Sequence, residues 1–415
     1  MGQRETCDAV GGAAVGGMAT EFEPDVVELF VATLRHAVKR ELPYVGTDTL
    51  LAELVMGDSD AGAATAPGMR KSGSLTGLIN GMAGRGWVSD DEAPGGAGGT
   101  AGAGEDADGE EVDAVWREAQ WRHGLGSRRP ASESGGVLPG MSGAMRACLL
   151  LALGSARAEG TVSVRCTHVA RALLDLPNTR AREALLLERL DVAAASAALD
   201  RLKAEAPGGT ERPESRGVTL LRRAGVAGRS GNRLSRAVTS WTSGSSLNGS
   251  PLLFAVSVEA QRQAVRCGRA EVEPVDLLLG VLALDRALYV AGRSLPTALE
   301  VANSAGDLLL CHGARQVSLV PAAFAVSSAV LPPGDTMGQS AAAERVAAMA
   351  RLSAAEHGSP TVGTVHLLSA LLDNSSTGQD TEADPGADGG VAGLLAADGV
   401  DVDTLRAELS LRLGG

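Results

Sequence analysis

The sequence predicts an all-α protein assembled from four copies of one helical repeat. Three observations carry that prediction. Of 415 residues, 44% are apolar and only 2% aromatic, so Ala, Leu and Val must build the core; Ala and Leu are the strongest helix formers. Apolar residues recur with a helical period, as at Val27, Phe30, Val31, Leu34 and Val38, which share one face. Finally, a single template returns four times: an amphipathic helix, a polar turn, Val-x-(Thr/Cys/Pro), then a second apolar helix.

In the first copy the turn Glu41-Leu42-Pro43-Tyr44 leads into Val45-Gly46-Thr47-Asp48-Thr49-Leu50-Leu51. The second runs from Met145 to Glu159-Gly160 and on through Val164-Arg165-Cys166-Thr167-His168. The third runs from Ala255 to Cys267-Gly268, then Val272-Glu273-Pro274-Val275-Asp276-Leu277. The fourth runs from Ala341 to His357-Gly358, then Val362-Gly363-Thr364-Val365-His366-Leu367-Leu368. Val45, Val164, Val272 and Val362 are the anchors. Gly160, Gly268 and Gly358 stand just past the first helix, where a left-handed residue ends it at least cost. Thr47 and Thr364 suit the N-cap of the second helix, and Pro274 suits its first turn. Two further helices are expected to complete the second copy (181–190 and 192–202) and the fourth (391–397 and 405–413); this half is less legible in the first and third.

Three stretches interrupt the pattern. Residues 89–113 are Gly-rich and hold nine acids and no base, which predicts a solvated acidic insertion. Residues 374–390 read as a polar loop. Residues 206–250 are rich in Pro, Gly and Ser and carry Arg216, Arg222, Arg223, Arg229, Arg233 and Arg236, with no acid between the first and last of these. They read as a linker with an arginine cluster. The expected division is therefore a disordered stretch 1–21, a domain 22–205, the linker 206–250 and a domain 251–415.

Composition also excludes. A net charge of −13 argues against a broad nucleic-acid face, which needs clustered Lys and Arg. Five scattered cysteines without a CxxC pair form neither a disulfide framework nor a zinc site. The stretch 1–20 lacks an apolar signal core, and no apolar run is long enough to cross a bilayer. A cytoplasmic protein with no membrane partner, no metal and no cofactor is expected.

Paired copies of Tyr44-Val45-Gly46-Thr47-Asp48-Thr49-Leu50-Leu51 and Thr361-Val362-Gly363-Thr364-Val365-His366-Leu367-Leu368 resemble the N-terminal repeat domain of the Clp unfoldases, in which Val-Gly-Thr-Glu-His-Leu-Leu stands at this place. The fourth copy keeps six of those seven residues. The resemblance implies two tandem Clp N-terminal-like domains, each a pair of pseudo-symmetric repeats, and a role in receiving substrates and adaptor proteins. In members of that family that read phosphorylated arginine, the acid after the motif threonine contacts the guanidinium; Asp48 alone of the four copies keeps one. No Gly-Lys dipeptide occurs, so the chain holds no phosphate loop. It resembles the repeat domain standing alone without its ATPase module, and ATP binding is not expected.

Candidate binding residues are Thr47 and Asp48 in the first motif, and Trp87, Trp116 and Trp121 around the acidic stretch. The tryptophans fit core packing; exposed, they would anchor a peptide. Val45, Leu50, Leu51, Val164, His168, Val272, Leu277, Val362, Thr364, His366 and Leu367 read as structural motif residues, the histidines bonding across the turn. With no HExxH and no G-x-S-x-G, no catalytic residue and no enzyme activity is expected. The function expected is a non-catalytic peptide- or protein-binding module linked to the Clp protease system, as an adaptor or as a decoy for the unfoldase's ligands. Alternatives are a nucleic-acid-associated regulator using the basic linker, and a hydrolase acting as a peptidase.

Overall fold

The structure is a computed structural model that describes residues 17–82, 103–126, 138–205, 212–227, 250–324, 337–374 and 390–414. They fall into two compact units. One takes the described residues between Thr20 and Pro213; the other takes those from Glu214 onward together with 17–19. Both are all-α apart from a few two-residue parallel strands and one isolated bridge.

In the first unit, β1 (Glu21–Phe22) leads into α1 (Pro24–Lys39), whose proline sits in the first turn where its missing N–H costs nothing. Val27, Phe30, Val31 and Leu34 of α1 are buried, while Val38, last of the periodic series, is exposed. There follow β2 (Tyr44–Val45), α2 (Thr47–Met56), α3 (Asp60–Thr65), α4 (Met69–Ser72), α5 (Ser74–Met82) and α6 (Ala103–Gly126). The second copy supplies β3 (Gly140–Met141), α7 (Gly143–Ala158), β4 (Ser163–Val164), α8 (Cys166–Asp175), α9 (Arg180–Leu187) and α10 (Val192–Glu205). The copies exchange strands. β1 of the first lies parallel to β4 of the second, with Phe22 beside Val164; β2 lies parallel to β3, with Val45 beside Met141. Each of these two anchor valines therefore pairs with the lead-in strand of the other copy.

Two expectations change here. β1 starts at Glu21, inside the stretch expected to be disordered; residues 1–16 lie outside the described residues. The acidic insertion is also not a loop over its whole length, because α6 begins at Ala103. Its Asp108 and Asp113 pair with Arg157 and Arg146 of α7. From within the last of the acids onward, Val112, Val115, Trp116 and Ala119 enter the core at helical spacing. Trp116 meets the Phe30 ring edge-on, centroids 6.2 Å apart. Acids and glycines set the composition of that stretch and hid the start of this stripe. Residues 89–102 lie outside the described residues.

The second unit opens with α11 (Arg216–Ala224), inside the expected linker. Its buried Val218 and Leu221 pack on α12 (Pro251–Arg266), so this part of the arginine-rich stretch belongs to a folded unit. Arg229, Arg233 and Arg236 lie outside the described residues. After α12 come α13 (Pro274–Ala291), α14 (Thr297–Glu300), a 3-10 turn (Val301–Asn303), α15 (Ala305–Cys311) and α16 (Gln316–Phe324). The fourth copy gives α17 (Ala341–Glu356), α18 (Thr364–Asn374), α19 (Val391–Ala397) and α20 (Val402–Leu413). Here Val272 forms a parallel bridge with Gln339, donating to Gly338 O at 2.9 Å and accepting from Ser340 N at 3.0 Å. This repeats the pairing of an anchor valine with the other copy's lead-in. Helices α15 and α16 complete the third copy; Pro321 within α16 obscured that half in the sequence. Residues 375–389 of the expected polar loop lie outside the described residues.

Candidate functional site

The motif residues singled out by the sequence lie on or beside the four turns that carry the anchor valines. Gly160, Gly268 and Gly358 take left-handed backbone angles there, and Glu41 holds the matching place in the first copy at φ 55°. The motif threonines do something other than cap their own helix. Gly46 is the cap of α2, and the buried Thr47 Oγ1 accepts a hydrogen bond at 3.1 Å from Ala181 N at the start of α9. Thr364 Oγ1 likewise accepts from Ala305 N of α15 at 3.3 Å. In each unit this hydroxyl satisfies a helix-start N–H supplied by the neighbouring copy.

The third residue of the second helix closes its own turn. His168 Nδ1 accepts from Arg165 N at 2.9 Å, and His366 Nδ1 accepts from Gly363 N at 3.0 Å. In the third copy Asp276 Oδ2 replaces the imidazole and accepts from Glu273 N at 2.9 Å. Because Nδ1 is the acceptor, the ring proton of the neutral form sits on Nε2; that of His168 faces Glu159 Oε2 at 3.3 Å. Burial pushes both imidazoles below their ordinary value; for His168 the Glu159 carboxylate opposes that push.

Asp276 is fully buried and paired with Arg269, whose guanidinium also donates to Ala323 O at 2.6 Å. Burial pushes the Asp276 carboxyl up to about 6, with Arg269 pulling it down. This clamp joins the motif turn to the last turn of α16. Farther along α13, the Asp285 carboxylate packs over Gly306, where an added Cβ would lie 1.4 Å from its Oδ2. Burial first, and then the Asp307 charge, pushes Asp285 up to about 8. The aspartate in the motif's histidine position was visible in the sequence; its partner Arg269 was not, and nothing in the spacing joins Asp285 to Asp307.

Trp116 and Trp121 are buried, so neither presents an exposed anchor; Trp87 lies outside the described residues. Asp48 is buried in the first turn of α2, whereas Tyr44 next to the anchor valine is 43% exposed. Leu50, Leu51, Leu277 and Leu367 fill the core beneath the motifs, as do the anchors Val45, Val164, Val272 and Val362. Burial raises the thiols of Cys166, well above its ordinary value, and Cys267, to about 11, so both stay protonated and unreactive at neutral pH. Among the described residues no group of three or more His, Cys, Asp or Glu is placed to hold a metal ion, and no helix is long and apolar enough to cross a membrane. Comparison with protein families, with curated proteins and with solved structures gives no match.

Proposed function

We propose that the protein is a non-catalytic peptide- or protein-binding module of the Clp N-terminal type, acting as an adaptor or decoy for a Clp unfoldase. The observation that carries this reading is the reciprocal strand exchange of the first unit, in which each anchor valine pairs with the other copy's lead-in. Such pairing makes two copies one body, as the resemblance in the motifs implies. The described motif side chains support a binding role over a chemical one. Thr47 and Thr364 hold helix starts of the neighbouring copy, and His168, His366 and Asp276 hold their own turns, whereas a nucleophile needs a free, activated group. The test is binding of the immobilised full chain to a purified Clp unfoldase–protease assembly, followed by interferometry, with degradation of an unfolded model protein measured in parallel. Saturable binding with a changed degradation rate is expected. No binding and no change in rate would overturn the reading.

A further inference from the structure

The outer face of α12 differs from that of the first helix in every other copy. Counting back from the anchor valine, Glu259, Gln263 and Arg266 correspond to Ala32, His36 and Lys39, to Leu151, Ser155 and Ala158, and to Met349, Ser353 and Glu356. In those three copies the positions are exposed or half-buried, as suits a solvent-facing helix surface. In the third copy all three are at most 1% exposed, yet all three remain polar or charged. Neither amide atom of Gln263 has a hydrogen-bond partner among the described residues. A polar stripe of this kind has the chemistry of a surface and the burial of a core, and a buried amide without partners is costly.

At the Glu259 end of this stripe the cover is α11. Gly217 approaches so closely that an added Cβ would lie 2.7 Å from Glu259 Oε1 and 3.2 Å from Ala255 O. Its N–H donates to Glu259 Oε1 at 3.1 Å. The helix is closed at both ends by local groups: the Ser215 hydroxyl accepts from Val218 N, and Gly225 ends it in a left-handed conformation. It is held to the unit by the short apolar stripe Val218–Leu221 and the buried Ala227 that follows it, by the Gly217–Glu259 hydrogen bond and by the bridge from Glu214 to Arg293. Glu214 also pairs with Arg222 within the same segment.

We infer that the outer face of α12 is a helix-docking site that α11 occupies in cis as a detachable strap. Release of α11 opens the site to a partner helix of like chemistry, with a glycine at the closest approach followed by apolar residues one and four positions later. The polar stripe then regains water or finds new partners, which is why it has kept surface chemistry. This inference deepens the binding-module reading and rests on it for a partner in trans. The docking site itself is tested with no Clp component present, so the two can fail separately.

The experiment compares the full chain with its Leu221→Asp variant by hydrogen exchange, then titrates both with a synthetic peptide of residues 212–227. In the variant, the amides of 216–224 should lose protection while α12 and α13 keep theirs. The peptide should bind the variant saturably and the unaltered chain weakly or not at all. Gly217→Leu in the peptide should abolish binding, because that site has no room for a side chain. The inference is overturned if α12 and α13 lose protection together with α11, which would make α11 an integral core element. It is equally overturned if α11 stays protected in the variant, or if the peptide fails to bind a variant whose α11 is released.

Discussion

Replacing Arg269 with Met tests whether the Arg269–Asp276 clamp supports the second unit. The methionine keeps the apolar stem and deletes the charge. Asp276 is fully buried and Arg269 nearly so, so the variant leaves a carboxylate without its counter-ion and Ala323 O without its donor. Breaking a buried pair on one side costs about 3–5 kcal/mol. Proton uptake limits the loss: the carboxyl already titrates near 6 beside Arg269, and without the guanidinium it moves higher and becomes neutral in mild acid. The expected loss is therefore about 3 kcal/mol at pH 8 and about half that at pH 6. For a unit of this size that is a fall in Tm of about 6–12 °C at pH 8. The assay is thermal unfolding of the full chain by circular dichroism at both pH values. Arg70→Met serves as control, since Arg70 and Asp58 form an exposed pair worth at most about 1 kcal/mol. The double variant Arg269→Met/Asp276→Asn should recover most of the loss, because an asparagine oxygen still accepts from Glu273 N and no charge stays buried. The reasoning fails if Arg269→Met melts like Arg70→Met at pH 8, or if the double variant is no better than the single one.

Asp285 has a folded-state value of about 8 against an ordinary 3.8, so its contribution is complete below about pH 4 and is lost as pH rises towards 8. Asp285→Asn should remove that slope and gain about 2 kcal/mol at pH 9, a figure reduced for the partial exposure of the residue; parallel melting profiles for the two proteins from pH 5 to 9 would refute this. His366 has a lowered value in the fold, so its contribution holds above about pH 6.5 and fades as pH falls. His366→Ala should cost about 1 kcal/mol at pH 7. His366→Asp, copying the third repeat, should keep the turn and lessen the acid sensitivity, as read from melts at pH 5 and 7. At Gly363 an added Cβ would lie 1.9 Å from Ala302 O, a backbone atom, so Gly363→Ala should cost about 2–3 kcal/mol. Gly77→Ala in α5 meets no atom within 4 Å and should stabilise by about 0.5–1 kcal/mol. Equal urea midpoints for these two variants would contradict the packing at the motif turn.

The sequence by itself determined the helical class, the four copies and the phase of each motif. Those features are local: the 3.6 period, the glycine ending each first helix and the apolar pair after the motif all act within a few residues of one another. The left-handed Gly160, Gly268 and Gly358 were legible for the same reason. The tertiary structure decided what each polar side chain bonds to. Thr47 meets Ala181 across 134 positions, and Thr364 meets Ala305 across 59; such pairings depend on how two copies dock, which no periodicity encodes. Helix α6 emerged from an acidic stretch because Arg146 and Arg157 of another helix neutralise Asp113 and Asp108. Helix α11 emerged from an arginine-rich one because Gly217, Val218 and Leu221 find a surface on α12. In both segments composition reported the solvent-facing side chains, while a few apolar positions, worth about 1.5–3 kcal/mol each when fully buried, settled the conformation.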